Sequence, residues 1–241
     1  MYNCIQLYNM EEGDFLFSID RHSIKHMSTA DYAYQILKKN ILTGKLAPEA
    51  LIVEEQLASE LDISRTPLRE ALQRLEIEEL VVRRPNGRLK VAPISIKEVK
   101  ELFTIRSLLE GIVVSQAAQK RTDEQLKQLR RYMFMFEEAV INGVTEDVLY
   151  FGGQFHAYIY EISGNQTAIK ILYQLNDHIH RYRRFVPERE TPQQNSLDEH
   201  QAILKYIEEK DSDQAKEAME EHIMNSLTIV KNSLEQRSED E

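Results

Sequence analysis

The stretch Ile63–Leu75, ISRTPLREALQRL, leaves this chain few folds to choose from. It follows VEEQLASEL, in which Leu57, Ala58 and Leu61 share a face, and it carries Leu68, Ala71, Leu72 and Leu75 at helical spacing. Two short helices joined through Asp62, Ile63 and Ser64 form the skeleton of a helix-turn-helix. Ser64 is placed to cap the second helix, and Pro67 falls in its first turn, where backbone N–H groups have no intrahelical partner. The polar side of that helix holds Arg65, Thr66 and Arg69 at its N-terminal end, where a recognition helix meets base edges and phosphates. Arginine suits bidentate contact with guanine, and threonine reaches a phosphate or a base. Directly behind, VVRRPNGRLKV (Val81–Val91) is two β-prone runs around a Pro85-Asn86-Gly87 turn. A hairpin in that position is a wing, and Arg83, Arg84, Arg88 and Lys90 would bring cations to flanking phosphates or the minor groove.

A formal net charge of −10 looks wrong for a chain that binds nucleic acid, so the distribution of charge matters. Between Ser64 and Ala92 stand 7 Lys/Arg against 4 Glu, while residues 93–241 are strongly acidic. The acidic remainder would be held away from a duplex while the basic edge faces it. One cysteine, Cys4, excludes an intrachain disulfide and fits a reducing cytoplasm. No uncharged run is long enough to span a bilayer, and the N-terminus has no secretory pattern. Residues 1–27 read as an N-terminal extension without a recognisable pattern, and a helix from about Ala30 to Leu42 backs the helix-turn-helix.

Residues 28–92 therefore make a winged helix-turn-helix domain and 93–95 a linker. From Ser95-Ile96-Lys97-Glu98, a capping-box sequence, helix follows helix to about residue 236. About six are predicted, one opened by Thr122-Asp123-Glu124-Gln125 and one by Asn165, with Pro187 and Pro192 bracketing the longest loop. The fold class is mainly α: a winged helix-turn-helix followed by an all-α helical bundle over 96–236. His156, His200 and His222 lie in three separate helices of the bundle, among apolar neighbours. Convergence on a Zn²⁺-type ion and three unrelated histidines both remain open on spacing alone. Arg106 precedes Glu110 by one turn, which makes an i,i+4 ion pair the simplest reading. His178, His180, Arg181, Arg183 and Arg184 form a basic cluster near the end of one helix, two or more of them expected to face solvent or favour the helix C-terminus.

The stretch Thr43–Val91, and SRTPLREAL within it, resembles the winged-helix domain of the GntR superfamily of bacterial transcription regulators. The resemblance implies operator contacts from Ser64, Arg65, Thr66 and Arg69, with Arg84, Gly87 and Arg88 at the wing. Glu49 stands where the family usually has glycine after the proline, and Arg88 replaces a second wing glycine. The bundle resembles the FadR-type effector domain, FCD, through IRSLLEG (105–111), QFHAYIYEISGN (154–165) and EHQAILKYIEEKDSDQAKEAMEEHI (199–223). That resemblance implies a divalent metal of Zn or Ni type on His156, His200 and His222, and a small organic acid effector gripped by Arg106. It also implies a homodimer on an inverted-repeat DNA operator. The family's fourth ligand, an Asp one turn before the first histidine, is Gly152 here, which leaves a metal site and a metal-free pocket both open. Gly152 is expected to leave room for a larger effector. A purely structural bundle is one alternative reading. A three-histidine metal enzyme with Glu199 or Glu221 as base is another; neighbouring helix residues point about 100° apart, so the chain is read as no enzyme.

Overall fold

The computed structural model describes residues 27–186 and 193–240, and the chain divides into two units, one through Ser95 and one from Ile96. Expectations for residues 1–26 and for the loop between Pro187 and Pro192 lie outside the described residues.

In the first unit, α1 (Thr29–Leu42) starts at Ser28, whose hydroxyl accepts from the Asp31 N–H at 3.0 Å. Asp31 in the first turn suits the positive end of the helix. Its apolar face, Ala33, Ile36, Leu37 and Ile41, is buried against α3 (Arg65–Ile77), which contributes Leu68, Ala71, Leu72 and Leu75. Between them α2 (Glu54–Glu60) buries Leu57 and Ala58. The α2–α3 turn closes by Ile63 N–H donating to the Ala58 carbonyl at 3.0 Å, with Asp62 at φ 52°. Aspartate tolerates that left-handed backbone better than most residues. Ser64 holds the N-cap position in extended conformation, yet its side chain makes no capping hydrogen bond. The expected serine cap is therefore corrected: the hydroxyl of Ser64 stays exposed beside Arg65.

The wing is β1 (Val81–Arg83) paired antiparallel with β2 (Leu89–Val91), in the register Val81↔Val91, Val82↔Lys90 and Arg83↔Leu89. Gly87 turns the chain at φ 80°, and the N–H of Arg84 donates to the Arg88 carbonyl at 2.8 Å. A third segment joins the other edge of β2: Ile52 N–H donates to the Leu89 carbonyl, Val91 N–H to Ala50, and Glu49 N–H to Val91. Glu49 adopts φ 67° there, a conformation that suits glycine, and its carboxylate accepts from Lys90 Nζ at 2.6 Å.

The second unit is helical: α4 (Ile96–Lys120), α5 (Asp123–Asn142), α6 (Thr145–Ser163), α7 (Gln166–Arg183), α8 (Gln193–Glu209) and α9 (Ser212–Asp240). The α5 start is a complete capping box, with Gln125 N–H on the Thr122 hydroxyl and Thr122 N–H on Gln125 Oε1. Asn165 caps α7 by accepting from the Ala168 N–H at 3.1 Å. Helix α4 runs through the middle of the unit, packed on α6, α7, α8 and α9, and buries Val99, Phe103, Val113, Val114 and Ala117. Of the basic cluster at the end of α7, Arg181 is 1% exposed, and Arg184 and Arg237 lie over the Phe185 ring at 4.5 and 4.7 Å. The Phe185 ring thus offers a π face to both guanidinium groups. No helix among the described residues is long and apolar enough to cross a membrane.

Candidate functional site

In the helical unit α6, α8 and α9 bring His156, His200 and His222 together, all buried, with one nitrogen from each within 4.8 Å of the others. Each ring is held from behind through Nδ1. His156 Nδ1 bonds Glu110 Oε2 at 2.7 Å, His222 Nδ1 bonds Glu199 Oε2 at 2.6 Å, and His200 Nδ1 bonds the Ser196 carbonyl at 2.6 Å. Carboxylates and carbonyls only accept, so the proton of each imidazole sits on Nδ1 and the Nε2 lone pairs face inward. His156 Nε2 and His222 Nε2 are 3.3 Å apart, and His200 Nε2 is buried without a hydrogen-bond partner. Burial and the neighbouring imidazoles push His200 well below the usual histidine range. Burial, His156 and Arg106 do the same to His222. Both rings are therefore neutral and free to donate lone pairs. Three converging nitrogens with fixed tautomers, two backed by carboxylates and one by a backbone carbonyl, are the donor set and support that a Zn²⁺-type ion takes.

Glu110, wholly buried on α4, ties this cluster to Arg106. Its Oε1 accepts from Arg106 Nε at 2.7 Å, Arg106 Nη2 at 2.6 Å and the Tyr160 hydroxyl at 2.7 Å. Burial would raise the Glu110 carboxyl, but His156 and Arg106 overcome it and hold the group well below the ordinary carboxylate range. Tyr160 moves the other way: burial and Glu110 raise its phenol well above normal, so it stays a donor. The Arg106–Glu110 ion pair read from spacing is present, at 4% and 0% exposure rather than on a surface. Arg106 Nη1 is left buried without a partner, one cationic N–H pair available to an anion.

Gly152 lies one turn before His156, and a Cβ there would stand 3.9 Å from His200 Nε2. The expected room is not open: that Cβ would meet Phe136 Cε2 at 3.3 Å. Beside His222, an open groove of about 390 Å³ runs between α8 and α9, lined by Asp198, Glu199, Glu221 and Asn225. Sequence reasoning passed over Glu110 and Glu199 as supports for imidazoles, and over Ser196 and Phe136 altogether. Glu199 adjoins His200 in sequence yet holds His222 on another helix, because successive helical residues point about 100° apart.

In the first unit Ser64, Arg65, Thr66 and Arg69 are all exposed around the start of α3, as are Arg84, Gly87 and Arg88 at the wing tip. The Arg65 and Arg69 side chains are 53% and 65% exposed, so both guanidinium groups face outward. They are not idle: Arg65 Nη2 lies 2.8 Å from Glu55 Oε1, and Arg69 Nε donates to Glu54 Oε2 at 2.7 Å. Arg83 is bound by Glu76 and by the Gly87 carbonyl. Among the described residues, Arg84 and Arg88 form no ion pair.

A recognition helix with outward arginines, a basic wing and a helical bundle are thus joined in one chain, and comparison with known proteins decides what they make. The bacterial regulatory proteins of the gntR family match residues 29–91, and the FCD domain matches residues 101–225. The chain is a GntR-family regulator with an FCD domain. The HTH-type transcriptional regulator YdhC of Bacillus subtilis is 29% identical over 208 residues, covering 86% of this chain and 92% of that protein. The HTH-type transcriptional repressor RspR of Escherichia coli is 25% identical over 206 residues, covering 86% and 90%. The solved structure of E. coli McbR/YncC matches with a TM-score of 0.69 at 22% identity, over 86% of this chain and 99% of that one. This GntR-family chain is accordingly a DNA-binding transcription regulator and not an enzyme.

Proposed function

We propose that this regulator works as a homodimer on an inverted-repeat DNA operator and answers to a small organic acid sensed in the helical unit. Ser64, Arg65, Thr66 and Arg69 read the major groove, and Arg84, Gly87 and Arg88 approach the flanking backbone or minor groove. Duplex DNA as partner fits a cytoplasmic location. The exposed apolar row Ile105, Leu108 and Ile112 on one face of α4 supports pairing of two copies. His156, His200 and His222 hold a divalent metal of Zn or Ni type, which would supply a Lewis-acidic centre for an effector oxygen. Arg106 offers its remaining N–H groups to the effector carboxylate, and Gly152 lies at the wall of the same site. Effector occupancy then changes operator affinity through a coupling of about 1–3 kcal/mol.

The single observation that carries the sensing half is the inward convergence of three Nε2 lone pairs, each ring fixed through Nδ1. Metal analysis of the purified chain, followed by thermal melting with Zn²⁺, Ni²⁺ and a panel of small carboxylates, tests it. One equivalent of metal and an added carboxylate shift, both lost in His200→Ala, are expected. Neither metal nor shift in the parent protein would leave the bundle a structural dimer partner.

A further inference from the structure

We infer that Phe136 is the residue that sets which ions this centre accepts, by keeping it free of any protein oxygen. The inference rests on the metal reading above and concerns its selectivity. Residues 152 and 156 lie four apart on α6 and share a face, so a side chain at 152 would project toward the histidines. Glycine supplies none, and the space is taken from α5. The Phe136 ring, 1% exposed, lies 4.5 Å from the His200 ring, centroid to centroid. Phe155, fully buried, meets His200 edge-on at 5.2 Å. His200 thus packs against two aromatic rings, and the Phe136 ring is the one that occupies the space beside position 152.

The nearby carboxylates do not fill the gap. Glu110 uses both oxygens on Arg106, Tyr160 and His156, and Glu199 uses both on His222 and Asn225. Among the described residues, the group able to hold an ion contains the three imidazoles alone. Imidazole nitrogen favours Zn²⁺, Ni²⁺ and Co²⁺, whereas Mg²⁺, Ca²⁺ and Mn²⁺ favour carboxylate, carbonyl and water oxygen. An all-nitrogen site therefore discriminates against the hard ions more than a mixed site would. Any oxygen in the shell must come from water or the effector.

One substitution at 152 closes the gap only as far as the Phe136 ring yields. A Cβ at 152 sits 3.3 Å from Phe136 Cε2, inside comfortable contact, and the ring is enclosed, so a carboxylate introduced there competes with it for the same space. The full-length chain, stripped with a chelator and titrated with Mn²⁺ and with Ni²⁺, gives the reference ratio of dissociation constants, that for Mn²⁺ over that for Ni²⁺. In Gly152→Asp with Phe136→Ala that ratio should fall by roughly tenfold or more as Mn²⁺ gains a ligand oxygen. Gly152→Asp alone should recover only part of the change. The visible spectrum of bound Co²⁺ reports the donor set independently, and should shift in the double variant. Phe136→Leu with Gly152→Asp serves if the alanine variant melts too early to titrate. A ratio equal in parent and double variant, or a full change from Gly152→Asp alone, overturns the role of Phe136. Failure of the parent chain to bind any of these ions overturns the metal reading itself, and the selectivity with it.

Discussion

Arg69 in the winged unit and Arg106 in the helical unit each pair with a glutamate, at 2.7 and 2.6 Å, and the two pairs do different work. The first is solvated, with the Arg69 side chain 65% exposed. An exposed pair of that kind contributes about 0–1 kcal/mol, so a phosphate or a guanine can replace Glu54 at little cost. The second is sealed, and its glutamate also carries an imidazole and a phenol. Charges removed from water are held only by one another, which makes the pair a fixed support and not an exchangeable contact. Recognition needs arginines that let go of their internal partner; an ordered metal-type site needs arginines that do not.

The largest effect should come from breaking the sealed pair. Arg106→Ala leaves the Glu110 carboxylate buried with no cationic partner, and should cost about 3–5 kcal/mol in urea unfolding. Glu110→Gln, which keeps shape, leaves the buried Arg106 guanidinium without its anion and should cost a similar amount. A loss below about 1 kcal/mol for Arg106→Ala would mean that water reaches the pair, and the contrast with Arg69 would disappear.

The solvated side should respond in binding instead. Arg69→Ala or Arg65→Ala should weaken operator binding by about 1–3 kcal/mol and relax sequence preference, while unfolding changes by less than about 0.5 kcal/mol. Fluorescence anisotropy on a selected operator duplex, beside a melting curve, reads both quantities. Equal affinity for parent and variant would remove these arginines from the interface.

How far this contrast can be read from residues alone differs between the two units. The winged unit is written in local signals: helical spacing at Leu68, Ala71, Leu72 and Leu75, the Asn86-Gly87 turn and the alternation in the hairpin. What escaped there was the edge segment at Ala50 to Ile52, whose bonds to β2 carry no periodic signature, and the silent hydroxyl of Ser64. In the bundle, caps such as Thr122 with Gln125 mark helix starts, and three histidines in three helices suggest a meeting point. Their supports cannot be found that way. Glu110 and His156 are 46 residues apart and Glu199 and His222 are 23 apart, so only packing brings them together. Gly152 is visible as a gap in the sequence, but the ring that fills it belongs to another helix.

Acid should separate the units further. His200 and His222 have folded-state values pushed below the normal one of about 6.5 by burial and by their neighbours. Above that pH both rings are neutral in the folded and unfolded chain, and stability is complete. As pH falls below it, the unfolded chain takes up protons that the folded site refuses, so stability declines toward the lowered folded values. Residues 27–95 contain no histidine. Between pH 7.5 and 5, the metal-free helical unit should lose several-fold in hydrogen-exchange protection while the winged unit changes little. Parallel loss in both units would point to a cause other than these imidazoles.

The smallest effect tests how loosely the solvated pairs are held. Glu54 and Glu55 place two negative charges beside the arginines proposed to read the operator, and on that proposal each phosphate approach must first displace them. Glu54→Gln with Glu55→Gln removes that competition and the repulsion toward the duplex, so non-specific affinity should rise by up to about 1 kcal/mol at low salt and less at high salt. Specific affinity should rise less, because the same glutamates hold Arg65 and Arg69 in extended, outward positions before binding, and freeing them restores side-chain entropy that recognition must again remove. The ratio of specific to non-specific binding therefore falls even as both grow tighter. Were the ratio to rise instead, Glu54 and Glu55 would be acting as plain repulsive charges, and the outward pose of the arginines would owe nothing to them.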